Sequence, residues 1–268
     1  MKLRVLIMLG FLLSASPVMA GERILALTPH VCEILFAIGA GEDVVGAVEY
    51  CDYPEAAKSI PRVGGYRQVY VEPALRAEPT LAIALEENLP GLSVLQQHGV
   101  RVLTSYPQSV EGMIAEVRRL GEITGHKLKA DALADRLQLR LAAVRQHQQQ
   151  HPPVGTFYEI WTDPLLTCGG VNFISALLEE VGLHNVFADV ALDTPRVSIE
   201  SVVRARPQLI VIPGEKRNVD ERRTFWQHWL GPDIRIIEVD PDLMHRPGPR
   251  LLDGLEALQQ AVQEQAYE

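Results

Sequence analysis

Aromatic and charged residues gather where short apolar runs of this chain stop. Pro29 and His30 follow the run 23–28, Tyr50, Asp52 and Tyr53 follow 44–48, and Tyr66 follows Gly64-Gly65. Later, Trp161 follows 154–160, and Asp242 and Arg246 follow 234–239. Aromatic faces stack on conjugated or apolar planes, while an aspartate and an arginine orient polar substituents. Pro29, His30, Tyr50, Tyr66, Trp161, Asp242 and Arg246 are therefore candidates for holding a large, flat, amphipathic ligand. Taken singly, each tyrosine or tryptophan is as well explained by packing, and Asp242 with Arg246 by a surface ion pair of little weight. Their shared position at the ends of apolar runs is what favours the ligand.

Chemistry that would transform a ligand is not written in the chain. It has no Gly-x-Ser-x-Gly elbow, no Walker loop and no His-Glu-x-x-His pair, and Gly169-Gly170 is too short to cradle phosphate. His30 and His245 both fall at run ends and can be set against each other as metal ligands, but two separate histidines make a weak metal signature. The chain reads as a binder, not an enzyme, with no catalytic cofactor.

A second constellation is acidic. Residues 71–84 and 199–212 are two copies of one pattern at an offset of 128: Glu72 matches Glu200, Arg76 matches Arg204, Pro79 matches Pro207 and Leu81 matches Leu209. Each copy reads as a short helix, a stop at proline and a buried aliphatic strand. One exposed glutamate per copy suits docking on a partner that is itself symmetric. An acidic residue at a helix start also stabilises the helix by itself, for less than about 1 kcal/mol.

The elements that must position these residues follow the same two-fold plan. Residues 1–20 carry Lys2 and Arg4, an apolar run from Val5 to Leu13 and a small-residue end at Ala20. This is the pattern of a cleavable export signal, cut after about Ala20. The apolar run is far shorter than the ~20 residues of a membrane span. Removing this segment takes two basic residues away, so the net charge moves from 25 − 34 = −9 to 23 − 34 = −11, which disfavours nucleic acid and anionic membrane as partners. Strands alternate with helices in 21–108 and again in 152–268, which predicts two Rossmann-like α/β lobes with parallel sheets. Residues 109–151 are strand-free, and 127–150 predict one long connecting helix of about 36 Å.

Cys32, Cys51 and Cys168 are an odd number for an exported protein. Cys32 and Cys51 fall near the ends of neighbouring predicted strands and can be joined if their Cα atoms lie within about 7 Å. Three buried thiols is the alternative.

Leu27-Thr28-Pro29 with Glu33, Glu49-Tyr50-Cys51-Asp52-Tyr53-Pro54, Val63-Gly64-Gly65-Tyr66, the two glutamate copies and Arg246-Pro247-Gly248-Pro249-Arg250 resemble one class of periplasmic binding proteins of ABC importers. In that class one rigid helix joins the lobes and the cargo is cobalamin, a ferric siderophore or haem. The resemblance covers essentially the whole chain after residue 20 and is closest to the cobalamin carriers. It implies a corrinoid held by Pro29, Tyr50, Tyr66, Asp242 and Arg246, with haem or a ferric siderophore as the alternative cargo. It further implies that Glu72 and Glu200 form salt bridges to arginines of a permease dimer. The expected product is a monomer of the periplasm.

Overall fold

A computed structural model describes residues 21–65, 67–148, 152–214 and 219–265. The first lobe runs β1 (Ile24–Ala26), α1 (Pro29–Ala37), β2 (Val44–Val48), β3 (Arg62–Gly64), α2 (Val71–Arg76), β4 (Leu81–Ala84), α3 (Leu92–Gln97) and β5 (Arg101–Thr104). Its sheet has the order β3-β2-β1-β4-β5, parallel throughout. β1 and β4 are entirely buried, which is why they read as unbroken aliphatic runs and not as alternations.

Two helices follow, α4 (Val110–Ile123) and α5 (Lys127–Gln148). Ser109 caps α4 by accepting from the Gly112 N–H at 3.0 Å. The turn between the helices uses Gly125 at φ +75°, and the helices close on each other at Gly121, where a side chain would run into Ala130 Cβ. α5 buries Ala130, Leu133, Ala134, Leu137, Leu141 and Val144, one stripe at three- and four-residue spacing. At 1.5 Å per residue it is about 33 Å long.

The second lobe contains β6 (Val154–Thr162), β7 (Leu165–Thr167), α6 (Phe173–Glu180), β8 (Leu183–Asn185), α7 (Ile199–Ala205), β9 (Leu209–Pro213), α8 (Val219–Leu230), β10 (Arg235–Val239), α9 (Pro241–Met244) and α10 (Leu251–Glu264). Its parallel strands lie in the order β8-β6-β9-β10, the order of β2-β1-β4-β5 in the first lobe. The duplication extends to the backbone. Glu78 and Arg206, each just before the shared proline, both stand at φ +49°, a left-handed conformation few non-glycine residues adopt.

One expectation about this lobe is corrected. Residues 161–170 read as a loop, but β6 continues to Thr162, turns at Asp163-Pro164 and returns as the antiparallel β7. The run Leu165-Leu166-Thr167 is too short to announce a strand by itself.

The hydrophobic core is continuous from the first sheet through α5 to Tyr158, Val211 and Ile237 on one face of the second sheet. The other face packs separately, with Phe157, Ile210, Ile212 and Ile236 around Trp226. α5 is also tied to both sides by arginines. Arg118 of α4 reaches Asp131 and Asp135, at 3.1 and 2.7 Å. Arg140 reaches Asp253 and Glu256 of α10, at 2.6 and 2.7 Å. Arg145 grips Glu180 of α6 at 2.6 Å and also meets Glu111 of α4.

Candidate functional site

A cleft of about 460 Å³ opens between the lobes. In the first lobe its wall is made by the residues that follow every strand of the sheet: Pro29 and His30 after β1, Tyr50 after β2, Gly65 after β3, Leu85 and Glu86 after β4, and Tyr106 after β5. Parallel strands deliver their carboxyl ends to one edge, so residues far apart in sequence share one rim. The second lobe contributes Asp242, His245 and Arg246 from α9 and the turn after it.

Local chemistry fixes these positions. Thr28 caps α1, its hydroxyl accepting from the Val31 N–H, and Pro29 occupies the first helical position. Threonine suits the cap and proline the first turn, where an N–H has no partner to lose. Asp240 caps α9 by accepting from the Asp242 N–H at 2.8 Å. Tyr50 and Tyr106 stand 54% and 52% exposed, which leaves their ring faces available to a ligand.

His30 is buried, and its Nε2 lies 3.0 Å from Ser105 Oγ. Burial in an apolar wall drives its pKa down to about 4, although Glu116 and Ser105 pull the other way, so the ring is neutral at physiological pH. His245 Nε2 lies 2.9 Å from the Tyr158 hydroxyl. Both histidines of the rim thus have a ring nitrogen engaged by the protein. Among the described residues no group of three or more His, Cys, Asp or Glu is placed to hold a metal ion.

Arg246 has a heavier role than its four-residue spacing to Asp242 suggests. It reaches Asp242 at 2.7 Å, Asp52 at 2.6 Å and Glu33 at 3.5 Å, with its side chain only 13% exposed. Arg250 completes the cluster, gripping Glu33 with Nη2 at 2.6 Å and Nε at 3.0 Å and lying 3.8 Å from the centre of the Tyr53 ring. Glu33 is buried at 3% exposure, and a carboxylate so placed is tolerable only with such partners. For Asp52, burial acts to raise the pKa, and the hydrogen bond and charge of Arg246 outweigh it and hold the carboxyl below its ordinary range. Two acids of the first lobe thereby hold two arginines of the second.

Of the seven ligand candidates, the cleft brings together Pro29, His30, Tyr50, Asp242 and Arg246. Tyr66 lies outside the described residues. Trp161 stands on the β6–β7 arm, 47% exposed, with its indole N–H donating to the Asp163 carbonyl, and it is not among the residues lining the cleft. The reason is the hairpin: β6 carries Trp161 beyond the edge at which an ordinary strand would have ended. Sequence reasoning missed Tyr106 on the rim, although Ser105-Tyr106-Pro107 closes a strand as Glu49-Tyr50 does. It also missed Glu33, Asp52 and Arg250 as an ion cluster, because their partners lie 194 to 217 residues away.

Cys32 and Cys51 are joined in a disulfide with Cα atoms 6.0 Å apart. Cys168 is a buried thiol, its pKa pushed up to about 11 chiefly by burial. Glu72 and Glu200 occupy the same place, the second residue of α2 and of α7, and both are exposed. Glu72 is paired with Arg76 at 2.7 Å. The Ser198 hydroxyl and Glu200's own backbone N–H hold the Glu200 carboxyl below its ordinary range. Among the described residues no helix is long and apolar enough to cross a membrane.

Known proteins share this arrangement. The chain is 30% identical to the vitamin B12-binding protein of Yersinia pestis (strain Pestoides F), over 92% of its own length and 88% of the relative's. Its fold superposes on the periplasmic vitamin B12 binding protein BtuF of Vibrio cholerae with a TM-score of 0.84 at 27% identity, covering 92% of this chain and 99% of that one. It also superposes on the periplasmic heme-binding protein RhuT of Roseiflexus sp. RS-1, with a TM-score of 0.81 at 26% identity, covering 92% and 100%. The sequence model of the periplasmic binding proteins matches residues 24–226, and with that match beside the 30% identity over 92% of its length, this chain belongs to the periplasmic binding protein family.

Proposed function

We propose that this protein captures a corrinoid, cobalamin in the first instance, in the cleft between its lobes and hands it to an ABC importer. The observation that carries the choice of cargo is the charge of the cleft. Among the described lining residues Arg246 is the one arginine or lysine, and its charge is matched by Asp242, Asp52 and Glu33. Glu86 adds a further acid, and His30 is neutral. A ferric siderophore or the two propionates of haem bring negative charge and want unmatched cations. A corrinoid presents a flat ring fringed by amides, whose N–H groups donate to carboxylates and whose faces rest on tyrosines and leucines. The vitamin B12 relatives support the same choice.

Capture then needs little chemistry. Pro29, Tyr50 and Leu85 offer apolar surface to the ring, Tyr106 adds a second exposed aromatic face, and Asp242 and Glu86 accept from the amide fringe. The arginine ties that run from α5 to α6 and α10 of the second lobe, together with the Arg246–Asp52 contact across the cleft, oppose a wide hinge motion. The ligand therefore enters a largely preformed slot. Delivery is assigned to Glu72 and Glu200, which present equivalent exposed carboxylates on the two lobes to basic residues of a permease. Export through cleavage after about Ala20 places the product in the periplasm.

Calorimetric titration with cyanocobalamin, cobinamide, hemin and a ferric siderophore tests the cargo. Tight one-to-one binding of the corrinoids, weakened about tenfold or more by Tyr50→Ala through loss of a stacking face, is expected. Binding of hemin or siderophore alone would overturn it. Replacing Glu72 and Glu200 together with alanine should abolish transporter stimulation while leaving cobalamin affinity unchanged.

A further inference from the structure

Cys32 and Cys51 do not line the cleft, and both are shut off from solvent at 0% and 1% exposure. What distinguishes them is their neighbours. Glu33 follows Cys32 on α1, and Asp52 follows Cys51 in the segment after β2; these are the two acids of the first lobe that meet Arg246. Tyr53, next again, is the ring under Arg250.

We propose that the Cys32–Cys51 disulfide is a positioning element of the binding site, holding Glu33 and Asp52 side by side so that together they fix Arg246 and Arg250 across the cleft. The two acids come from different elements. α1 is a regular helix packed in the core, and Glu33 is fixed with it. Asp52 sits in an irregular segment, residues 51–53, whose start is anchored by the Cys51 N–H donating to Val48 O at 3.1 Å. The disulfide bolts that segment to α1 one residue before each acid, with the two Cα atoms 6.0 Å apart. The segment carrying the arginines fits closely over the result: a Cβ on Gly248 would stand 3.2 Å from Glu33 Oε2. Arg246 lines the cleft while Asp52 and Glu33 hold its guanidinium, so the disulfide sets the distance between the two walls through one intermediary. Buried as it is, the bond is a permanent brace rather than a redox switch.

The effect on affinity rests on the corrinoid reading; the effect on the frame does not, and the experiment separates them. Cyanocobalamin is titrated into the mature wild type, the Cys32→Ala/Cys51→Ala variant, Asp52→Asn and the triple variant. Hydrogen exchange of residues 246–250 is followed in each without ligand. The cysteine pair and Asp52→Asn should each weaken cyanocobalamin by about tenfold, and the triple variant should be no weaker than Asp52→Asn alone, because both act through one contact. In the ligand-free proteins, exchange at 246–250 should accelerate in all three variants. A brace that served only general stability would lower the melting temperature and leave affinity within twofold of wild type. That result, or losses that multiply in the triple variant, would overturn the proposal. Should even the wild type ignore cyanocobalamin, the corrinoid reading falls and exchange alone decides: unchanged protection at 246–250 without the disulfide refutes the brace. If the alanine pair does not fold, Cys32→Ala/Cys51→Val, which returns apolar volume to the core, replaces it under the same criteria.

Discussion

Lowering the pH from 7.5 to 5 should destabilise this protein through one side chain, His30. Its ring is buried against the wall of the cleft, and its pKa falls from 6.5 to about 4. The cause is first the loss of water around a cation. The start of α1, where His30 is the second residue, adds the unfavourable positive end of a helix dipole. Glu116 would favour the charged ring, but its carboxylate is already gripped by Arg119 through two hydrogen bonds of 2.6 Å. A histidine whose folded pKa is depressed gives its proton up on folding, so the unfolded chain takes up the proton first. Stability is therefore full above pH 6.5 and declines as the pH falls from 6.5 towards 4. At about 1.4 kcal/mol per unit, roughly 2 kcal/mol is lost by pH 5. The assay is urea unfolding of the wild type and of His30→Gln, which keeps a polar group near Ser105 and does not titrate. Between pH 7.5 and 5 the wild type should lose about 2 kcal/mol more than the variant. Parallel profiles, or an imidazole resonance of His30 titrating near pH 6.5, would refute the reasoning.

Gly170→Ala should prevent folding or cost more than about 3 kcal/mol, because the new Cβ would fall on the carbonyl oxygen of Ala188, a backbone atom that cannot rotate away. Gly125→Ala, at φ +75° with nothing within 4 Å, should cost only about 1 kcal/mol, and denaturant melts of the two variants compare the effects directly. Arg222→Met should destabilise by about 3–5 kcal/mol, since it strips the arginine at 2.6 Å from Glu159, a carboxylate with no exposure; adding Glu159→Gln should recover much of the loss in the same melts. Arg145→Ala, which removes a side chain that is 41% exposed, should cost no more than about 1 kcal/mol by thermal unfolding.

What could be read from the chain and what could not divides along one physical line. β1, β4 and β9 announced themselves because burial on both faces leaves an uninterrupted aliphatic run, and α5 because a long strand-free stretch rich in Ala, Leu, Arg, Gln and Glu favours helix. The repeat was legible because two copies of a helix, a stop and a strand obey the same local rules; even Glu78 and Arg206, chemically opposite, take the same φ. The four residues of α9 are too few for periodicity, and β3 and β8, no shorter than β1, are interrupted by Arg62 and His184, so no aliphatic run marks them. Each exists because a neighbour supplies its partners, as Thr156 and Val154 of β6 do for β8.

The site divides in the same way. Residues that end a strand inherit its legibility, so Pro29, Tyr50 and Asp242 could be nominated one strand at a time. The partners of Arg246 could not, because an ion pair between residues 194 positions apart leaves no spacing to detect. Nor would its weight have followed from its parts. An exposed Asp242–Arg246 pair is worth little, since water screens both charges. The same arginine at 13% exposure, set between Asp52 and the buried Glu33, is a different object: removing it leaves the buried Glu33 to Arg250 alone. That asymmetry makes the cluster a constraint on the distance between the lobes. It also removes the cleft's arginine as an anchor for an anionic ligand, so one set of contacts bears on both the shape of the slot and the charge of what fits there.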